Sequence, residues 1–502
     1  MPRKIPATMA TQHPDNAMDV YFLGKKFVNT LDEIEECQRM FDELKCTEYM
    51  WDWEGKFVDE AVVEKLFQRY YEFFKKHQLG KDVFLTFRIP NIDEESGYRL
   101  ARAFMSILTA DDVAHEVGLH TPPIFEVILP MTKSASQLMR VKKTFHQVEE
   151  FKRQAFNTRR TNEHEFHVIP LFEGCEHLMN VDKVLSEYIE ECKKEFGKKP
   201  AYMRPFMARS DPALNAGLFP AVLSTKIALH KFGEVEKKYS VPMYPIIGTG
   251  CLPFRGGINP ETIKETIKEY AGIRTITIQS AFRYDYPLEE VKKAIRVIEK
   301  TLPTLKFTPL SKKEVKDLEW VVHRFAAHYR GTIEKIAPTI NKIANGVPGR
   351  RERMQHIGLF GYSRGVGKVS LPRAIKFTGA LYSIGLPPEF IGTGRGLKEA
   401  KKAGHLELIQ KHYLNLRADL IHAGKYLNKE NLAELVKKNA AFKAIQEDIE
   451  EVEAFLGVEL GPLKTKHKIH RNLVSSILLH SMDGEEFEDE MEKAAAIRKS
   501  LG

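Results

Sequence analysis

The residues with the most chemical promise follow short apolar runs, at the points where a strand would give way to a loop. The run Tyr49–Trp53 ends in Asp52-Trp53-Glu54, and Val83–Ile89 carries Arg88 near its end. His167–Phe172 is followed by Glu173, and Ala201–Ala208 by Arg209-Ser210-Asp211. Met243–Gly248 runs into Thr249-Gly250 and then Phe254-Arg255-Gly256-Gly257; His356–Tyr362 runs into Ser363-Arg364-Gly365. Two carboxylates from separate strands suit Mg²⁺ or Mn²⁺, hard cations that keep waters and take substrate oxygens for their remaining positions. Arginines in glycine-rich loops suit phosphate and carboxylate groups, because the guanidinium fork binds two oxygens at once and glycine lets the backbone approach. Together they imply a small substrate with several negative charges. Any one of these arginines, taken alone, also reads as a surface ion pair.

What must position them is a βα rhythm. Ile124–Leu129 and Thr275–Gln279 bring the β-rich runs to eight, and helical patterns lie between them, with a longer insert near 311–345. Strands alternating with helices predict a parallel sheet, and eight of them predict a (β/α)8 TIM-type barrel of the α/β class, whose sites gather at the carboxyl ends of the strands. From about 371 onward the pattern is almost wholly helical, broken at Gly385-Leu386-Pro387-Pro388 and Gly392-Thr393-Gly394. The expected organisation is one barrel domain over 1–502: an N-terminal loop at about 5–16, the barrel at about 47–370 and a helical extension at about 371–502. Asp211-Pro212 opens a helix, since the carboxylate can cap free N–H groups and proline suits a first turn. That role accounts for Asp211 on this segment alone, while its place at a strand end also admits a ligand.

The bulk numbers narrow the class. The chain has 502 residues, 43% hydrophobic and 29% charged, with a net charge of +8. That is ample for a buried core, and Lys and Glu are interleaved, with no basic stripe of the kind that grips nucleic acid. Five cysteines at irregular spacing, without a CxxC pair, read as reduced thiols of a cytoplasmic protein. No apolar run reaches the roughly 20 residues that span a bilayer, and MPRKIPATMA lacks a signal-peptide core. Gly361–Val369 resembles a phosphate-binding P-loop but has the wrong glycine spacing, and Val369 stands where Ser or Thr is needed. His164 and His167 would point to opposite faces of a strand and make poor metal partners.

One further set of residues ties these together. Thr11-Gln12-His13-Pro14-Asp15-Asn16 resembles the Thr-Ala-His-Pro-Thr-Glu motif of the phosphoenolpyruvate carboxylase family, in its shorter archaeal-type branch. Pro170-Leu171-Phe172-Glu173 is similar to the family's metal motif, and Ser210-Asp211-Pro212-Ala213-Leu214-Asn215-Ala216-Gly217 to its Ser-Asp motif. Phe254-Arg255-Gly256-Gly257 resembles its glycine loop, and Thr277-Ile278-Gln279-Ser280 the strand end after it. Gly361-Tyr362-Ser363-Arg364, Leu371-Pro372-Arg373-Ala374-Ile375 and Leu386–Gly394 follow in the family's order.

The resemblance implies a homotetrameric barrel enzyme that makes oxaloacetate and phosphate from phosphoenolpyruvate and bicarbonate, with Mg²⁺ or Mn²⁺. It implies Glu173 and Asp211 as metal ligands, His13, Arg255 and Arg364 as catalytic residues, and Arg88, Arg364, Arg373, Gly256 and Gly257 as substrate-binding residues. His13 would take the carboxyphosphate proton from a loop folded over the barrel mouth. The chain departs from the family at Leu214, where a lysine is expected, and in having one Arg-Gly-Gly unit instead of two, followed by Asn259-Pro260. Two other readings remain: another metal-dependent barrel enzyme working through an enolate, such as a lyase or mutase, and a non-catalytic phosphate- or nucleic-acid-binding barrel. Bicarbonate dependence separates the first, and steep salt dependence without turnover the second.

Overall fold

Eight short strands pair in parallel and close on themselves in chain order. They are β1 (Thr8–Thr11), β2 (Glu48–Asp52), β3 (Phe84–Arg88), β4 (Glu126–Leu129), β5 (His167–Phe172), β6 (Phe206–Ala208), β7 (Ile246–Gly248) and β8 (Thr275–Ile278). The computed structural model describes residues 4–25, 28–54, 59–156, 166–348, 364–366 (backbone) and 369–502. The strands are buried on both faces, as parallel strands sheathed by helices must be, so they read as continuous apolar runs. The outward side chains, such as Ala10, Trp51 and Phe87, pack under the helices. The inward ones, Met9, Met50, Ile128, Ile169, Leu171, Phe206, Ala208 and Ile246, fill the barrel's middle.

The first strand corrects the expectation of an N-terminal loop. Thr8–Thr11 is fully buried and closes the barrel, with Met9 opposite Glu48 of β2 and Thr8 opposite Ile276 of β8. Pro6 and Pro14 flank this strand without entering it, so neither removes a ladder hydrogen bond. The barrel therefore begins well before residue 47. The expected strand at His356–Tyr362 lies outside the described residues, and closure between β8 and β1 does not use it. After the barrel, a 34-residue helix, Lys312–Asn345, starts at a Ser311/Glu314 capping box. An antiparallel pair, β9 (Arg364–Val366) and β10 (Val369–Leu371), leads into the helices that run from Ala374 to Arg498. These pack with Leu218–Tyr239 and Lys312–Asn345 around a second apolar core. No helix among the described residues is long and apolar enough to cross a membrane.

Below the apolar layer the barrel is plugged by charge. Glu48, Glu126, Arg204 and Thr275 come from the entrances of β2, β4, β6 and β8, one layer built from alternate strands. Arg204 donates to Glu48 at 2.8 and 2.6 Å, to Glu126 at 2.6 Å and to Thr275 Oγ1 at 3.1 Å. All four residues are at most 2% exposed. A buried pair of this kind is not stabilising in itself, but removing one partner strands the others in a low dielectric. Arg204→Met is expected to lower the unfolding free energy by about 3–5 kcal/mol, measured by chemical denaturation. A loss under about 1 kcal/mol would mean that the carboxylates are relieved by water or protonation.

Candidate active site

The carboxyl ends of the strands carry the residues that could do chemistry. His13 lies two residues beyond β1, half-buried, with Nδ1 held 2.9 Å from Thr11 Oγ1. Its carbonyl accepts the backbone N–H groups of Asp15 at 3.2 Å and Ser280 at 3.3 Å. These contacts hold the loop that carries His13 against the start of the helix after β8. Next to it, Gln12 Oε1 accepts the N–H of Asp52 at 3.0 Å, tying the end of β1 to the end of β2.

Arg255 is the most heavily engaged side chain at this edge. It is 2% exposed. Nε donates to Ser210 Oγ at 3.1 Å, Nη1 to Asp15 Oδ2 at 3.0 Å and to the carbonyl oxygen of Gly502, and Nη2 to Gln279 Oε1 at 2.6 Å. Two glycines make room for it. A Cβ on Gly250 would stand 2.8 Å from Arg255 Cζ, and Gly256, at φ +122°, would bring one to 2.7 Å from Thr249 Cγ2. Gly257 follows at φ +72°. Asp15 also accepts the N–H of Ala281 at 2.8 Å, so one buried carboxylate binds both the arginine and the turn after β8.

Arg88 ends β3 opposite Asp52 in the β2–β3 register. It donates to both Asp52 oxygens, at 2.8 and 2.6 Å, and its Nη1 lies 2.9 Å from Glu54 Oε2. Burial pushes the Arg88 pKa down, but Asp52, Glu54 and Glu173 outweigh it and hold the guanidinium more firmly charged than usual. Arg373 caps the helix Ala374–Ser383 and reaches Glu54 at 3.6 Å, with 29% of its side chain exposed. The backbone of Arg364 lies in β9, while its side chain and residues 361–363 lie outside the described residues.

Glu173 follows β5 and is 8% exposed; its Oε2 accepts the N–H of Met131 at 2.6 Å. Met131 takes a left-handed φ of +50°, uncommon for a side-chain-bearing residue, directly beyond β4. Asp211 stands in the first turn of the helix Ser210–Ala216, whose cap position is Arg209, so it is not the N-cap. The donor set is two carboxylates on the neighbouring strand ends of β5 and β6. Among the described residues no group of three or more His, Cys, Asp and Glu gathers into a protein cage. Such a set fits a cation that retains water and binds substrate oxygens, and it does not fit structural zinc.

Comparison with known proteins decides the family. The profile of the family described as phosphoenolpyruvate carboxylase matches residues 5–502. The chain belongs to the phosphoenolpyruvate carboxylase family. It is 39% identical over 524 residues to the phosphoenolpyruvate carboxylase of Metallosphaera sedula, covering 100% of both chains. It is 40% identical to that of Pyrococcus horikoshii over 454 residues, 88% of this chain and 93% of the relative. To the enzyme of Oenococcus oeni it is 40% identical over 480 residues, 95% and 94% of the two chains.

At this edge of the barrel, Leu214 supplies no cation where the family motif has lysine. It is fully buried, and its carbonyl accepts the Tyr329 hydroxyl at 2.8 Å. Sequence reasoning noted Asp52 and Glu54 at a strand end without seeing that they clamp Arg88, and it assigned nothing to Asp15 or Glu389. The aspartate of the His13 motif was a usable signal, since a buried arginine needs a carboxylate. Glu389 gave none: it comes from the helical region, 135 residues from Phe254, whose N–H it accepts at 2.9 Å along with the Tyr382 hydroxyl at 2.7 Å.

Glu389 therefore braces the turn that presents Arg255, from a site of full burial. Burial raises its pKa from 4.5 to about 7. The folded protein keeps that proton where the unfolded chain releases it, so this group's contribution to stability falls as pH rises from about 4.5 to about 7 and stays level above. Glu389→Gln removes that fall. Its stability relative to the unsubstituted protein is expected to rise across the same interval in urea titrations, and a constant difference would place the titration elsewhere.

Proposed function

We propose that the protein carboxylates phosphoenolpyruvate with bicarbonate, giving oxaloacetate and phosphate by way of carboxyphosphate and the enolate of pyruvate. The observation that carries this reading is the family match over 5–502, in a chain whose barrel strand ends carry Glu173, Asp211 and Arg88 and whose Arg373 reaches Glu54 beside Arg88. Glu173 and Asp211 would hold the divalent cation, Mg²⁺ or Mn²⁺, which when bound supplies Lewis-acid neutralisation of substrate charge. A bicarbonate oxygen attacks phosphorus and the enol oxygen leaves, so the phosphoryl group passes to bicarbonate. Arg373 and Arg364 hold the phosphoryl oxygens, whose charge such donors stabilise during transfer.

His13 takes the carboxyl proton of carboxyphosphate, releasing CO₂ and phosphate, and the enolate carbon then adds to CO₂. The Thr11 contact at Nδ1 fixes the ring's orientation for that transfer. Arg88 orients the carboxylate that the enolate carries. Arg255 and the Gly256-Gly257 turn shape the wall on which CO₂ is held. The five cysteines, all free and buried, support a reducing, cytoplasmic setting. The family supports a homotetramer with an anaplerotic role.

The test couples oxaloacetate to NADH oxidation through malate dehydrogenase, with Mg²⁺ present and bicarbonate added or withheld. A bicarbonate-dependent signal abolished by EDTA is expected; folded, Mg²⁺-supplied protein that gives none refutes the carboxylase and points to a lyase or mutase. His13→Asn is expected to lower kcat by about 10²–10⁴-fold while calorimetry shows phosphoenolpyruvate still binding. Loss of binding instead would count against proton transfer as its role.

A further inference from the structure

Glu54 is buried beside two of the arginines assigned to the substrate site, Arg88 and Arg373. Its side chain is 1% exposed, and neither carboxylate oxygen has a hydrogen-bond partner of good geometry. Its close neighbours are cationic: Arg88 Nη1 lies 2.9 Å from Oε2 and Arg373 Nη2 lies 3.6 Å from Oε1. A carboxylate removed from water is tolerated only where opposite charge compensates it, so this one is held in place by the two guanidinium groups and in turn holds them.

The backbone around Glu54 is built for this. Its N–H donates to Asp52 Oδ1 at 3.1 Å, and the same Asp52 oxygen accepts Arg88 Nε at 2.8 Å. Trp53, 3% exposed and packed on Phe87 at 5.6 Å, donates its N–H to the Arg88 carbonyl at 2.9 Å. The turn Asp52-Trp53-Glu54 is thereby locked to β3. Arg373 is the opposite case. It is exposed on one side, and it caps the helix Ala374–Ser383, where the macrodipole is positive and disfavours a cation. Glu54 offsets that repulsion, and without it the long side chain gains freedom by turning to solvent.

We infer that Glu54 is a positioning residue of the active site, which uses one buried carboxylate to set Arg88 and Arg373 at a fixed separation for a single substrate carrying two anionic groups. The distances suit a shared anchor: Asp52 and Glu54 together engage Nε, Nη2 and Nη1 of Arg88. This rests on the proposed carboxylase reading and adds a requirement to it. The carboxylate and phosphoryl groups of phosphoenolpyruvate are bound as a pair, at a spacing that neither arginine sets alone.

The test is a double-mutant cycle of Glu54→Gln, which keeps the volume and removes the charge, with Arg373→Ala. Each protein is assayed for kcat and KM, and for equilibrium binding of phosphoenolpyruvate with Mg²⁺ and no bicarbonate. Glu54→Gln is expected to raise KM and the dissociation constant together by about 10–100-fold, the usual effect of losing an outer-shell partner, with kcat changed much less. In the Arg373→Ala background its effect is expected to shrink at least threefold, since residues that act through one another are not additive. Glu54→Asp, which keeps the charge at shorter reach, is expected to fall between, and it makes the same comparison if Glu54→Gln does not fold. Unchanged phosphoenolpyruvate binding in Glu54→Gln, or effects that simply multiply, would overturn the role of Glu54. Unsubstituted protein that forms no oxaloacetate would overturn the carboxylase reading instead.

Discussion

The Arg255 guanidinium is the contact on which the mouth of the barrel depends. A buried cation must be compensated by charge and hydrogen bonds, or the segment that carries it does not fold as seen. Here the compensation comes from Asp15 beyond β1, Ser210 beyond β6, Gln279 beyond β8 and the carbonyl oxygen of Gly502. These four positions span almost the whole chain, so satisfying one side chain brings the first strand, the glycine turn and the last helical segment to one point. Burial gives Arg255 a structural role beside the catalytic one proposed for it.

Charge is otherwise layered along the barrel axis. Arg204 and its two glutamates close the entrance end, an apolar band fills the middle, and carboxylates with arginines line the exit end. The apolar band keeps the two charged layers from competing for each other's partners, because strong pairing in a low dielectric is short-ranged in effect once each charge is satisfied locally. At the exit end the arginines are set by acidic neighbours, not by the substrate alone: Asp52 and Glu54 hold Arg88, and Asp15 holds Arg255.

The helices after residue 371 act on the site from behind. Glu389 braces Phe254, Tyr382 braces Glu389, and Arg373 opens the first of these helices beside Glu54. Asp419 lies in the same interface, hydrogen-bonded by Tyr413 at 2.6 Å, and burial raises its pKa to about 7. The interface between barrel and helices therefore supports the turn that carries Arg255, and burial keeps its carboxyl groups protonated further up the pH scale than exposed ones.

The amino-acid order by itself was enough for the barrel class, for seven of its strands and for the strand-end residues Glu173, Asp211, Arg88 and Arg255. Each of those follows from local signals: an apolar run of strand length, a turn, and a polar residue at the exit. The first strand was missed because four buried residues between two prolines carry no periodicity, and only pairing with β2 and β8 makes them a strand. The partners of Asp15 and Glu54, and the whole role of Glu389, were out of reach for a related reason. A buried carboxyl group takes its role from the partner it meets, Arg255 for Asp15, Arg88 for Glu54 and the Phe254 N–H for Glu389, and those meetings are decided by barrel closure and helix packing, not by neighbours in the chain.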